Sequence, residues 1–343
     1  MTGKQTERWL RRLGPRNIGA IYVLITLIIV FSIWNPSIFA NLGTAKLILN
    51  QYSFTGLVGL ALLLPLTTGL FDLSVGSVAA LAGITSAWTL ANVSPSPLLA
   101  LATGLGVALG VGIFNIVVVE VLGIDSFIGT LATGSIAIAL AAAISGDQYI
   151  VHNVGAFQKD VALRNLQGVT LPVFITLVIA LGLYVVLEKT AFGRRAYAVG
   201  FDSEVARLGG VSVHAIRAVA LVVSAVLAGL AGILATAMIG AGNPATGPDL
   251  LLPAFAVAFL GATQFRSGRF NVWGTVVAVL LLGTGNIGLL VIGGPPWLPN
   301  MFEGVMLISA VALTSRRGMG LLRLRRFRNR QMTNDDSVPD SNQ

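Results

Sequence analysis

Charge and cysteine are the two features that this chain of 343 residues lacks most clearly. There is no cysteine, which excludes disulfides, thiol chemistry and zinc–thiolate sites. Charged residues make up only 10% of the chain, whereas soluble domains contain about 25%. The chain is therefore not a soluble domain.

Nucleotide-binding and catalytic motifs are also missing. No G-x-x-x-x-G-K-[ST] pattern occurs, because the one Gly-Lys pair, Gly3–Lys4, is followed by Gln5. The two histidines, His152 and His214, are far apart in the sequence, and neither forms part of a metal-ligand pattern. We therefore interpret both as surface residues. No nucleophile–base pattern stands out. We expect no enzymatic activity, no cofactor and no metal site.

Apolar runs dominate what is present. Hydrophobic residues make up 55% of the chain, and the mean hydropathy is +0.83. Runs of roughly 20 apolar residues cross a bilayer as helices, because lipid offers no partner to an unbonded backbone group. The predicted fold is an all-α, polytopic membrane protein with about ten transmembrane helices. The predicted spans are 18–34, 47–66, 73–91, 98–119, 126–145, 170–187, 218–239, 250–263, 271–292 and 298–314.

The basic residues lie beside the spans, so the net charge of +8 does not indicate nucleic-acid binding. With ten spans, nineteen of the 22 lysines and arginines fall on one side, which the positive-inside rule identifies as the cytoplasm. We therefore expect a multi-pass membrane protein with both termini cytoplasmic. Its expected regions are a basic segment (1–17), a membrane domain (18–315) with a cytoplasmic loop (188–217), and a basic, then acidic tail (316–343).

Two features of the spans concern packing and energy. The fourth span contains Gly104, Gly106, Gly110 and Gly112, and such small residues let another helix approach closely.

Acidic residues in or near the spans sit close to the predicted ends, whereas an ion-coupled carrier usually needs a charge near mid-membrane. The energy source is therefore expected on another protein. Neutral groups that could line a path are Asn50, Gln51, Asn115 and Asn286, with plain interhelical hydrogen bonds as the alternative.

Leu187–Arg217 is the one long polar interruption between the two blocks of apolar runs. Within it, Asp202–Gly210 has the pattern of a short helix. Asp202 suits its N-cap, and Gly209–Gly210 supply a left-handed stop. A helix this short is marginal alone, so we expect it to dock on a cytoplasmic partner. An ordinary interfacial connector is the alternative.

Asp72 follows a break at Pro65 and Gly69. One interpretation makes its carboxylate the cap of the third span, accepting hydrogen bonds from free backbone N–H groups. The other makes it a substrate or gating ligand, since a carboxylate can accept hydrogen bonds from the hydroxyl groups of a solute.

Several stretches resemble the permease subunits of ribose-type ATP-binding cassette sugar importers. The first is Gly69–Gly83 (GLFDLSVGSVAALAG), and the second is Thr190–Val211, which resembles the family's cytoplasmic coupling segment. Glu204, Ala206 and Gly210 match a degenerate Glu-Ala-Ala-x-x-x-Gly pattern within it. The likeness continues through Ala225–Gly242 and Leu260–Gly283, in the family's order.

The resemblance implies a transport subunit for a monosaccharide or related polyol. Its implied partners are a second permease chain, identical or related, a cytoplasmic ATPase and an extracytoplasmic sugar-binding protein. Candidate residues for coupling to the ATPase are Arg194, Arg195, Asp202, Glu204, Ala206, Arg207 and Gly210. Candidates for the translocation path are Asp72, Ser74, Asn50, Gln51, Asn115 and Asn286.

The chain departs from the family pattern at three places. Leu70 and Phe71 stand before the aspartate where Gly-Ile is more common, Ile116 replaces a glycine after Asn115, and Ala262 replaces the second glycine of Gly-Gly-Thr. These departures leave the particular sugar open. A stand-alone secondary carrier for a small polar solute is the alternative function, and a structural or channel-like membrane protein is a weaker one.

Overall fold

The computed structural model describes residues 15–265 and 268–314, and in these ranges it is almost entirely helical. The N-terminal segment 1–14, Arg266 and the tail 316–343 lie outside the described residues. The helices are α1 (Pro15–Trp34), α2 (Leu42–Thr67), α3 (Val75–Asn92), α4 (Pro97–Ile116), α5 (Ser126–Ser145), α6 (Val154–Phe157), α7 (Leu171–Lys189), α8 (Ala191–Phe201), α9 (Ser203–Leu208), α10 (Val213–Ile239), α11 (Thr246–Ala262), α12 (Val272–Val291) and α13 (Leu298–Thr314).

All ten apolar runs form helices, and two of the predicted ranges, 126–145 and 298–314, match α5 and α13. Within the described residues, six helices are long and apolar enough to cross a membrane: α2, α4 extended by a π-helical turn to Val121, α5, α7, α10 and α12. The apolar helical segments Gly19–Trp34 (in α1), Thr246–Ala262 (α11) and Leu298–Thr314 (α13) are shorter, with 10–17 residues. The chain is therefore a multi-pass membrane protein, while the count of ten spans remains a prediction.

Helix α10 lies at the centre of the bundle and packs against α2, α3 and α4. The contacts are close because small residues face each other: a methyl group at Gly232 would overlap the Ala79 carbonyl, and one at Gly229 would overlap the Ala108 side chain. Apolar helices gain little from burial against one another in lipid, so close van der Waals packing of this kind holds them together.

The connections contain more structure than the sequence predicts. The loop 188–217 was expected to hold one short helix, but α8 precedes α9, and α10 already begins at Val213. The polar connection after α5 contains α6, a π-helical turn (Gln158–Ala162) and a hairpin of β1 (Asn165–Leu166) and β2 (Val169–Thr170). The two strands pair antiparallel, with Asn165 opposite Thr170.

The glycines of α4 divide into two kinds. A methyl at Gly104 would lie 2.7 Å from Ile233 Cδ1 and 2.8 Å from the Ala82 carbonyl oxygen, and one at Gly112 would lie 3.0 Å from Ala225. Gly106 and Gly110 have open space around them. The predicted close approach of another helix is therefore found at Gly104 and Gly112 but not at Gly106 and Gly110.

This difference predicts opposite effects of one chemical change. Gly104→Ala should destabilise the chain by about 1–3 kcal/mol through overpacking. Gly106→Ala should be neutral or stabilising by up to about 1 kcal/mol, because alanine is the better helix former. Thermal unfolding of both variants in detergent measures the effects. Equal melting temperatures would contradict the assigned packing.

Candidate functional site

The break between α2 and α3 is buried inside the protein. Pro65 lies in the last turn of α2, and Gly69 adopts a left-handed φ of +82° that turns the chain back. Both residues mark the break as the sequence predicts. Asp72 follows and is completely inaccessible to solvent. A buried carboxylate requires hydrogen-bond partners, and the structure supplies them.

The Asp72 carboxylate connects two helices. Its Oδ1 accepts hydrogen bonds from Ser74 N–H (3.1 Å) and Ser74 Oγ (2.6 Å), and its Oδ2 accepts one from Ser224 Oγ on α10 (2.8 Å). Asn115 Nδ2, at the end of α4, donates to Ser74 Oγ over 2.8 Å. Three of the predicted path residues, Asp72, Ser74 and Asn115, therefore form one cluster.

Ser224 is a member of this cluster that the sequence did not reveal. It lies 152 residues from Asp72 along the chain, so no local pattern connects the two. The available signal was a lone hydroxyl in an apolar helix, which needs a polar partner in lipid.

Asp72 is not the helix cap that one interpretation predicted. The N-cap of α3 is Ser74, whose side chain makes no capping hydrogen bond, and Asp72 reaches only the N–H of Ser74 itself. The carboxylate lies two residues too early for the N–H groups of the first turn, and it is turned towards Ser224 of α10. Side chains of α5 bond the loop backbone instead: Phe71 N–H donates to Ser126 Oγ, and Leu73 N–H donates to Thr130 Oγ1.

The coupling segment, defined here as α8 and α9, lies directly beside this break. A side chain at Gly200 would overlap the Thr67 carbonyl, and an added methyl at Gly69 would lie 3.6 Å from Gly200 Cα. Tyr197 Oη donates to the Phe270 carbonyl (2.7 Å), and the Arg269 guanidinium lies 3.9 Å from the centre of the Tyr197 ring. The segment thus contacts both the α2–α3 break and the α11–α12 loop.

Helix α9 has the predicted caps with one correction. Asp202 Oδ1 accepts from the N–H groups of Glu204 and Val205, both at 3.1 Å. At the other end only Gly210 is left-handed, with φ of +80°, whereas Gly209 has φ of −77°. Gly210 alone therefore supplies the stop, because one left-handed residue suffices to end a helix.

The outer surface of the coupling segment combines apolar and charged groups. Phe201, Val205 and Leu208 are 82%, 64% and 75% exposed, while Ala206 is buried against α8 and α10. Arg207 forms a bidentate pair with Glu204, and its guanidinium holds the pKa of the Glu204 carboxyl below its usual value. Such an exposed pair adds little stability. The predicted coupling residues Arg194, Arg195, Asp202, Glu204 and Arg207 are all exposed on this segment.

The remaining predicted path residues have different surroundings. Asn50 is fully engaged with the hairpin, donating to the Gly168 carbonyl (3.0 Å) and accepting from Thr170 N–H (2.9 Å). Gln51 is exposed. Asn286 is 2% exposed and donates to Glu303 Oε1 of α13 (2.5 Å).

The histidines have surroundings that agree with a surface position. His214 is exposed, and its Nδ1 lies 2.5 Å from Glu120 Oε2. His152 is exposed as well. Within residues 15–265 and 268–314 no group of three or more His, Cys, Asp or Glu could hold a metal ion.

Comparison with known proteins identifies the class of this chain. A family model described as a branched-chain amino acid transport system permease component matches residues 44–311. The D-allose transport system permease protein of Escherichia coli K12 is 31% identical over 296 residues, covering 86% of this chain and 90% of that protein. The ribose import permease protein of Bacillus subtilis is 30% identical over 308 residues, covering 88% and 94% respectively.

A third relative, the L-arabinose transport system permease protein of E. coli K12, is 31% identical over 294 residues, covering 85% of this chain and 88% of that protein. No solved structure matches the chain. The chain belongs to this permease family. It is the membrane subunit of an ATP-binding cassette importer, and a separate subunit hydrolyses ATP.

The Asp72 cluster predicts a graded effect of substitution. Asp72→Ala removes the acceptor of three hydrogen bonds, and each buried donor left unpaired costs about 1–3 kcal/mol. Asp72→Asn keeps one acceptor oxygen and gains an N–H that can donate to Ser224 Oγ, so it should fold nearly normally. Thermal unfolding in detergent measures the difference. Asp160→Ala, at an exposed position, is the control, and a melting temperature of Asp72→Ala equal to that of the control would contradict the cluster's role.

Proposed function

We propose that this chain forms the translocation path of an ATP-driven importer for a monosaccharide or related polyol. The supporting observation is that relatives named for D-allose, ribose and L-arabinose align with at least 85% of this chain at about 30% identity. These alignments cover nearly whole proteins on both sides, so they bear on substrate class more than the family description, which names branched-chain amino acids.

The polar groups of the described interior suit a neutral, hydroxyl-rich solute. They are mostly hydroxyl and amide side chains, such as Ser74, Asn115, Ser224 and Asn286. Such groups both donate and accept hydrogen bonds, as sugar hydroxyls do. An amino acid would also require partners for its ammonium and carboxylate groups. In the two ion pairs of the described residues the cations, Arg207 and His214, are exposed, while the Glu120 side chain that pairs with His214 is only 6% exposed.

The topology proposed is ten spans in the bacterial inner membrane, with both termini cytoplasmic. In that arrangement α8 and α9 are cytoplasmic, and the connection between α5 and α7 faces outward. The charge distribution supports it, since nineteen of the 22 basic residues fall on the cytoplasmic side. The regions 1–17, 18–315 and 316–343 are then an N-terminal surface segment, the permease domain and a cytoplasmic tail.

The coupling segment is proposed as the docking site of the ATPase. Its apolar groups Phe201, Val205 and Leu208 are unusually exposed for a region outside the membrane, and exposed apolar patches are typical of protein contact sites. Arg194 and Arg195 border them. A second permease chain, identical or related, and a sugar-binding protein on the outer face complete the proposed assembly.

Reconstitution tests the function directly. Proteoliposomes that contain the permease and its ATPase should take up radiolabelled ribose, D-allose or L-arabinose only when ATP and the loaded binding protein are supplied. The partners are those encoded beside this chain. Radiolabelled leucine should not enter.

Two outcomes would contradict this function. Uptake by the chain alone, driven by a sodium or proton gradient, would establish a secondary carrier. Uptake of leucine but of none of the three sugars, with the complete importer, would move the substrate class to amino acids.

The docking surface predicts a second effect. Val205→Asp combined with Leu208→Asp places charge on the proposed contact, and losing two apolar anchors should weaken ATPase retention roughly tenfold or more. Both side chains are exposed in the chain itself, so it should still fold. Pull-down of the ATPase by the tagged permease measures this. Val205→Ile with Leu208→Met is the matched control. Normal ATPase retention by the aspartate variant would show that this surface is not part of the interface.

A further inference from the structure

A second polar cluster lies between α2, α12 and α13, at the end of the bundle opposite the coupling segment. Asn286 of α12 is 2% exposed and donates through Nδ2 to Glu303 Oε1 of α13 over 2.5 Å. Tyr52 of α2 is the third member, because its ring packs against Gly283, which lies one turn before Asn286 on α12. Of the three, Asn286 is the one that the sequence predicts as a path residue.

Glycines of α12 admit the aromatic rings that border the cluster. A methyl group at Gly283 would lie 3.0 Å from the Tyr52 ring, and one at Gly285 would overlap the Phe302 ring. Both rings therefore rest directly on the helix backbone. This packing places the Tyr52 ring one turn before Asn286 on α12, and the two rings form an apolar border of the cluster.

Two features of the cluster are unsatisfied. Asn286 Oδ1 is buried, and no hydrogen bond of ordinary geometry reaches it from any described residue. A buried acceptor without a donor costs about 1–3 kcal/mol. Glu303 has one donor, Asn286 Nδ2, and it is absent from the ion pairs of residues 15–265 and 268–314. Asn286 Oδ1 therefore lacks the donor that its burial requires, and the Glu303 carboxylate lacks a cationic partner among the described residues.

The chemistry of the cluster selects the class of ligand. A cation would require acceptors alone, but the Asn286 amide nitrogen already donates to Glu303, and Tyr52 brings a hydroxyl that can donate or accept. The Asn286 amide oxygen lacks a donor, and the Glu303 carboxylate has a second oxygen beside the one bonded to Asn286, so both can accept hydrogen bonds from neighbouring hydroxyl groups of one sugar. Aromatic walls match the C–H face of a sugar ring.

We propose that Tyr52, Asn286 and Glu303 form a binding site for sugar hydroxyls in the outer half of the translocation path. The site rests on the proposed function and deepens it, because it names side chains that contact the solute after its release from the binding protein. Glu303 and Asn286 Oδ1 accept hydrogen bonds from the sugar, and Tyr52 donates one.

Two conservative variants test the site. Tyr52→Phe removes one hydroxyl and keeps the ring on Gly283, and Glu303→Gln keeps an acceptor for Asn286 but loses the charge. Each variant, with the ATPase in proteoliposomes, is supplied with saturating binding protein loaded with radiolabelled ribose, D-allose or L-arabinose. We expect sugar uptake to fall about five- to tenfold, the effect of one lost hydrogen bond near the upper end of its usual strength. The binding-protein-stimulated ATPase rate should stay near that of the unmodified chain.

The control is Ser135→Ala, which also removes one hydroxyl, from an exposed side chain that bonds only within its own helix. Unchanged uptake of all three sugars by both variants would overturn the site. So would a parallel loss of uptake, ATPase stimulation and folded protein, since that pattern marks a purely structural interhelical bond. Failure of the unmodified importer to transport any of the three sugars is a different result, because it rejects the proposed function itself.

Discussion

Backbone that leaves the helical state inside a membrane protein must find hydrogen bonds elsewhere, and this constraint shapes the region between α2 and α3. Lipid cannot supply partners, so side chains from distant helices do. Ser126 and Thr130 bond two of the loop N–H groups, and Asp72 bonds a third while also reaching Ser224. The loop can therefore exist only when α5 and α10 are in place. Its conformation is a property of the assembled bundle.

The same dependence links the membrane domain to the coupling segment. Helix α10 carries Ser224 in its membrane part, and its first turns hold Val213 and Ile216 against Ala206 of α9. Helix α8 contacts the break on one side and the α11–α12 loop on the other. The surface proposed for the ATPase is thus connected to the buried Asp72 by a short series of direct contacts.

The parts of this structure that follow local rules could be predicted from the sequence. Apolar run length located the helices, and the Asp202 and Gly210 signals located α9 to within a residue or two. Helix α8 was missed because Gly193 and Gly200 are poor helix formers, and tertiary packing outweighs that preference. Pairings across the chain, such as Asp72 with Ser224 or Asn286 with Glu303, have no local signature, and so the capping interpretation of Asp72 was wrong.

The backbone contacts at the two ends of α8 have a mechanical consequence. At Gly193 the helix backbone lies against the Leu187 carbonyl, and at Gly200 it lies against the Thr67 carbonyl. No side chain separates the two backbone segments at either contact. Side chains absorb small displacements by changing rotamer, whereas two backbones in contact cannot. A displacement of α8 is therefore passed directly to the end of α2 at the Gly200–Thr67 contact and to the end of α7 at the Gly193–Leu187 contact. A single methyl group at either glycine would push the two backbone segments apart at that contact.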